Sequence, residues 1–226
     1  SWQTNCIDDW EQKVDAIVAE THDQDMRLIS GIPPWVKMYF ERLRAKTNQP
    51  IKDIFPNFSL FVYGGVNYAP YRSILEELIG KKIDSVELYP ASEGFIAFQD
   101  HPDENGMLLQ LDAGIFYEFV EADKIHEENP LRVSLAAVKK GVNYAIILNT
   151  SAGLWGYNIG DTVAFVNLKP YRIIVSGRIK HFISAFGEHV IGKEVEQAME
   201  ETLQVYDARV TEFTVAPQVT PDAGLP

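Results

Sequence analysis

One stretch narrows the possible folds more than any other. Ser59–Tyr63 is a short apolar run that ends in Gly64–Gly65. Pro70 then opens a helical pattern through Leu75, Leu78 and Ile79, which Gly80 stops. Ser85–Leu88 is a second apolar run, with a turn at Tyr89–Glu93 behind it. A strand, a helix and a strand at this spacing predict a βαβ-like unit, whose ligands sit at the carboxyl ends of the strands. Gly64–Gly65 and Tyr89–Glu93 both occupy such ends. The expected fold class is therefore α/β.

The flanking sequence extends this frame. Ile7, Trp10, Val14, Ile17 and Val18 share one helical face, and Asp8–Asp9 suits a helix start. Pro33–Pro34 announces a second helix with Trp35, Val36, Tyr39, Phe40 and Leu43, where Trp35, Tyr39 and Leu43 read as a core stripe. Downstream, Met107–Leu111, Ile115–Val120, Tyr144–Leu148, Thr162–Val166 and Arg172–Ser176 read as strands, separated by Gly, Asn and Pro. Gly192–Tyr206 turns helical, Arg209–Ala216 reads as a strand, and Pro217–Pro226 as a loop. A boundary falls near Arg178–Phe182: residues 1–179 form part of a large domain, and residues 180–226 a hinge and the start of a smaller one.

Composition excludes some functions. A formal charge of −12 argues against a nucleic-acid footprint. One cysteine, Cys6, allows no disulfide framework and no thiolate-rich metal site, and it suits a reducing cytoplasm. No apolar run approaches the roughly 20 residues that span a bilayer, and Ser1–Asp9 does not read as a signal peptide. The five histidines lack metal-ligand spacing, and no G-x-S-x-G surrounds Ser92.

Three motifs carry chemistry. Tyr89–Glu93 reads Y-P-A-S-E. A Tyr on a strand-end turn can offer its face to a purine, and a carboxylate four residues on can hold a phosphate-bound Mg²⁺; taken alone, the pentapeptide reads first as a core-capping Tyr and a solvated Glu. Gly153–Asp161 reads G-L-W-G-Y-N-I-G-D, a glycine-containing turn whose carboxylate could accept from both ribose hydroxyls, or a plain hairpin with an exposed Asp. Gly177–Arg178 opens G-R-I-K-H-F-I-S-A-F-G-E-H-V-I-G-K-E-V-E. There Arg178 suits a ribose or phosphate fork and Lys180 a hinge, against a hairpin with scattered charges.

In this order the motifs resemble the superfamily of acyl-CoA synthetases, peptide-synthetase adenylation domains and luciferases. Gly177, Arg178, Gly187, Val190, Glu194 and Glu196 fall at the spacing of its hinge motif, with Lys180 in the hinge position. Closer still, Y-P-A-S-E, G-L-W-G-Y-N-I-G-D, G-I-F-Y-E-F-V at Gly114–Val120 and H-F-I-S-A-F-G-E at His181–Glu188 resemble the Gretchen Hagen 3 family of acyl-acid amido synthetases. Asn158 stands where that family's turn has Arg, and Pro90 is a milder departure.

The resemblance implies a large nucleotide-binding domain of mixed sheets and helices, plus the start of a small C-terminal lid. It implies ATP and Mg²⁺ as cofactors, and a small carboxylic acid and an amino acid as partners, with no nucleic acid and no membrane. Tyr89, Ser92, Glu93, Gly64, Gly65, Asp161 and Arg178 would bind the nucleotide. Glu93 would be the catalytic carboxylate that holds the metal. No counterpart of the family's phosphate loop occurs in these residues, and the adenylation lysine belongs after Pro226. The chain by itself is therefore expected to be an inactive internal fragment. An acyl-CoA ligase and a non-catalytic nucleotide-binding module are the alternatives.

Overall fold

The structure is a computed structural model and describes residues 1–179, 183–185, 188–190, 192–206 and 210. It forms two compact units: Ser1–Pro90 with Phe98–Asp103, and Ala91–Ala97 with Glu104–Pro226.

In the first unit, a four-residue helix α1 (Trp2–Asn5) precedes α2 (Trp10–Thr21). The α2 cap is Asp9, whose carboxylate accepts the Gln12 N–H at 2.8 Å, satisfying a donor that the helix itself cannot. A strand β1 (Leu28–Ser30) leads to α3 (Pro33–Thr47), which opens on two prolines and closes on Asn48 in the left-handed region. After the short α4 (Ile51–Ile54) come β2 (Leu60–Gly64), α5 (Ala69–Ile79) and β3 (Asp84–Ala91).

Strands β1, β2 and β3 run parallel, with Tyr63 opposite Glu87 and Gly64 opposite Leu88. Gly80 ends α5 at φ 79°, a conformation that costs a side-chain-bearing residue far more. The expected βαβ unit is present. Its core joins Phe40, Leu43, Phe55, Phe58, Phe61 and Leu75. Trp35 departs from the expected core stripe. Tyr39 and Leu43 are buried, whereas Trp35 is 56% exposed and packs its ring against Trp10 at 5.4 Å.

The second unit is largely antiparallel. It contains β4 (Gly94–Phe98), β5 (Met107–Leu109), β6 (Ile115–Glu121), β7 (Val133–Ser134), β8 (Asn143–Thr150), β9 (Tyr157–Leu168) and β10 (Tyr171–Arg178). Their spatial order is β4-β5-β10-β9-β8-β6-β7. Phe119, Tyr144 and Phe165 meet edge to face in its core, with centroids 5.1–6.2 Å apart. A hairpin of β11 (Ile183–Ala185) and β12 (Glu188–Val190) precedes α6 (Gly192–Val205). The expected strand at Arg209–Ala216 and the loop at Pro217–Pro226 lie outside the described residues, apart from Val210.

Two boundaries differ from expectation and matter for function. Strand β3 continues through Ala91, so the turn after it shrinks to Ser92–Glu93. Strand β9 begins at Tyr157, so Gly160–Asp161 lies inside a strand, not in a turn. The reason is a bulge: Ala145 of β8 pairs with Thr162, yet Ile147 pairs with Asn158. Gly160 takes φ 85° there, and its N–H donates to Asn158 Oδ1 at 2.9 Å. Asn158 thus fastens the backbone kink that a side chain at Gly160 would resist.

Candidate functional site

Asp161 and Arg178 are brought together. They face each other across β9 and β10, and Arg178 Nε lies 3.0 Å from Asp161 Oδ1. Asp161 is buried while the Arg178 side chain is 67% exposed, so the cation reaches outward from a fixed carboxylate. The pairing depends on a second irregularity. Val175 opposes Val163 but Gly177 opposes Thr162, which leaves Ser176 as the extra residue of β10. Its buried hydroxyl donates to Asn143 Oδ1 and also contacts the Thr162 hydroxyl at 3.0 Å. Satisfying these polar groups inside the sheet keeps the bulge from slipping, since a buried hydroxyl without a partner costs free energy. Sequence reading missed Asn143, Thr162 and Ser176. Their signal was three polar residues inside otherwise apolar strands.

In the first unit, Gly64 ends β2 and Tyr89 lies two residues before the end of the neighbouring β3. A Cβ at Gly64 would sit 2.5 Å from the Leu88 carbonyl and 3.3 Å from Pro90 Cδ, so the strands' own approach requires glycine there. Gly65 takes φ 78° with open space around it. Tyr89 is buried, at 8% exposure, which leaves little of its ring facing solvent. Ser92 is exposed and Glu93 half-buried, on the turn between β3 and β4. Lys180 and Gly187 lie outside the described residues; Val190 is in β12, and Glu194 and Glu196 are on α6.

No group of three potential metal ligands occurs among the described residues. One carboxylate at Glu93 fits Mg²⁺ in one way only. That ion keeps several waters and takes one or two protein carboxylates beside phosphate oxygens.

Sequence reading also passed over Glu87. It is paired in register with Tyr63, and burial pushes its carboxyl above the usual range. Burial, aided by the Glu87 charge, raises the Tyr63 phenol as well. The signal was a charge inside the apolar run S-V-E-L-Y. Surface hollows lie elsewhere, one beside Arg72, Glu76, Lys81 and Asp84 and another beside Leu111, Phe116, Asn149 and Trp155; neither contains a predicted site residue.

The strands that carry the ion pair also decide the comparison with known families. Residues 108–178 match the GH3 family central domain. The GH3 match begins in β5 and ends on Arg178, so it contains both bulges and the Asp161–Arg178 pair. No curated protein matches the chain in sequence.

Solved structures extend the likeness beyond the GH3 segment. A GH3.15 acyl acid amido synthetase superposes with a TM-score of 0.66 at 14% identity, covering 88% of this chain and 45% of that one. The AtGH3.15 acyl acid amido synthetase in complex with 2,4-DB gives 0.58 at 21% identity, covering 72% and 29%. An open 2-hydroxyisobutyryl-CoA ligase, in complex with 2-HIB-AMP and CoA, gives 0.60 at 15% identity, covering 84% and 44%. These likenesses establish the mixed α/β fold of adenylate-forming enzymes. The chain spans under half the length of each of these three relatives.

Proposed function

We propose that the protein is an adenylate-forming ligase that joins a small carboxylic acid to an amino acid at the expense of ATP. The observation that carries this reading is the Asp161–Arg178 pair, locked in register by two strand bulges inside the GH3-matching segment. A carboxylate is a poor electrophile, so the acid first attacks the α-phosphorus of ATP and releases pyrophosphate. The amine then attacks the carbonyl of the acyl-adenylate and AMP leaves.

In this reading Asp161 accepts hydrogen bonds from the ribose hydroxyls, and Arg178 both orients that carboxylate and meets the nucleotide. Gly64, Gly65 and Tyr89 line the adenine, while Ser92 and Glu93 lie toward the phosphates. Mg²⁺ held by Glu93 would neutralise phosphate charge. Residues 1–179 belong to the large domain and residues 180–226 to a hinge and lid, turning at Lys180 between half-reactions. The single cysteine supports a cytoplasmic setting. No helix among the described residues is long and apolar enough to cross a membrane.

The likeness to a CoA ligase favours one second reading, in which a thiol replaces the amine. Incubation of the protein, at its natural length, with an acid, ATP and either amino acids or coenzyme A separates the two. An amide product supports the first reading; a thioester overturns it. Asp161→Ala should weaken ATP binding by about 1.5–3 kcal/mol, the worth of hydrogen bonds to a charged group. Isothermal titration with ATP checks this, and unchanged affinity would remove Asp161 from the ribose contact.

A further inference from the structure

Glu87 has no role in the scheme above, yet its placement is unusual. It lies on β3 two residues before Tyr89, and alternation along a strand puts the two on one face. On β2 its register partner is Tyr63, next to Gly64. The Tyr63 ring packs against Phe61 at 5.6 Å and Tyr68 at 4.9 Å, and the Arg72 guanidinium lies 4.7 Å from the Tyr68 centroid. Glu87 is thus a carboxyl on the aromatic face of the two strands that carry Gly64 and Tyr89.

Its backbone is satisfied by Gln99: the Glu87 N–H donates to Gln99 Oε1 at 3.1 Å, and the Gln99 N–H donates to the Glu87 carbonyl at 2.8 Å. The carboxyl group itself has no hydrogen-bond or ion-pair partner among the described residues. A half-buried acid with nothing to accept from costs stability, and such a group asks for an external donor.

We propose that Glu87, beside Tyr63, receives the amine and accepts its proton during amide formation. The inference rests on the amide-forming reading, and the charges of the reactants select the ligand. ATP and the carboxylic acid are both anions that a carboxylate repels, and coenzyme A carries phosphates. The ammonium group of the amino acid is the one cationic group among the organic reactants, and it brings only donors to this carboxylate. The amine enters as this ammonium and gives its first proton to the Glu87 carboxylate, which frees the nitrogen lone pair for attack. As the C–N bond forms, the C–O bond to the phosphoryl oxygen breaks and AMP leaves with that electron pair. The second nitrogen proton goes to water. The groups facing Glu87 are Tyr63 from β2 and, behind it, Tyr68, which caps α5, with Arg72 and Glu76 of that helix. Burial that raises the Glu87 carboxyl also makes its carboxylate a stronger base.

The test, made on the protein at its natural length, separates the two half-reactions in Glu87→Gln, which keeps the side chain's shape. Acid-dependent ATP–pyrophosphate exchange should stay within about twofold of wild type, which also verifies folding. Amide release with a mixture of protein amino acids should fall by about 100-fold or more, the usual worth of a general base. Hydroxylamine, a nucleophile that is neutral near pH 7, should still give the acyl hydroxamate at close to the wild-type rate. Unchanged amide release would overturn the proposal, as would a parallel loss of exchange, amide and hydroxamate. Absence of exchange in the wild-type protein would instead overturn the ligase reading beneath it.

Discussion

At the scale of single residues, buried polar groups divide into those the fold uses and those it tolerates. Tyr117 belongs to the second kind. Its hydroxyl is buried with no hydrogen-bond partner among the described residues, and burial pushes the phenol up to about 12. Tyr117→Phe should therefore raise stability by about 1 kcal/mol, measured by urea unfolding at neutral pH. A loss of that size would mean the hydroxyl has a partner. Glu87 makes a prediction with a sign. A carboxyl whose folded-state pKa is raised favours the fold in its protonated form. That contribution is fully present below the unfolded value near 4.5 and is lost as pH rises through the higher folded value. Wild type and Glu87→Gln should thus differ in thermal stability by a pH-dependent amount, with the variant gaining relative to wild type between pH 4 and neutrality. A constant difference across that range would deny the raised pKa. The sequence marks Glu87 only as a charge inside an apolar run and Tyr117 not at all, because a Tyr or Glu inside a strand looks alike whether or not its polar end finds a partner.

At the scale of elements, the glycines show what sequence could and could not reveal. Gly80 was readable as a helix stop because it follows the last apolar position of α5, and it closes that helix. Gly160 was read as a turn. It instead sits in a bulge of β9, where the strand continues on both sides and only the pairing register betrays it. Register is set by cross-strand partners far away in sequence, so a local pattern of residues cannot supply it. The same holds for β4, which follows the tight turn Ser92–Glu93 at once and is not among the expected strands. Gly106 and Gly160 offer a paired test of the geometry. Both have positive φ, at 83° and 85°. A Cβ at Gly160 meets nothing within 4 Å, whereas at Gly106 it would lie 2.6 Å from Val166 Cγ2 and 2.9 Å from the Ile173 carbonyl. Gly160→Ala should cost about 1 kcal/mol, for conformation alone. Gly106→Ala should cost more, because a backbone carbonyl cannot move aside as a side chain can. Equal losses in chemical denaturation would show the bulge to be more crowded than described.

At the scale of the whole molecule, the α/β class was legible because βαβ punctuation is local: an apolar run, a helical period, a glycine and another apolar run. The long antiparallel part was legible as strands but not as an order, since β10 lies between β5 and β9, and β6 lies beyond β8. The site was legible only as motifs. Their sequence separation said nothing of how Asp161 and Arg178 come to face each other, which two bulges accomplish. Function at this scale turns on whether that pair serves a nucleotide. The most direct measurement is acid-dependent exchange of pyrophosphate into ATP, made on the protein at its natural length with a panel of small carboxylic acids. Exchange is expected with at least one acid, together with an ATP KM raised by about 10- to 100-fold in Asp161→Ala, following from the loss of charge-assisted hydrogen bonds. No exchange with any acid, or an ATP KM untouched in the variant, would contradict it.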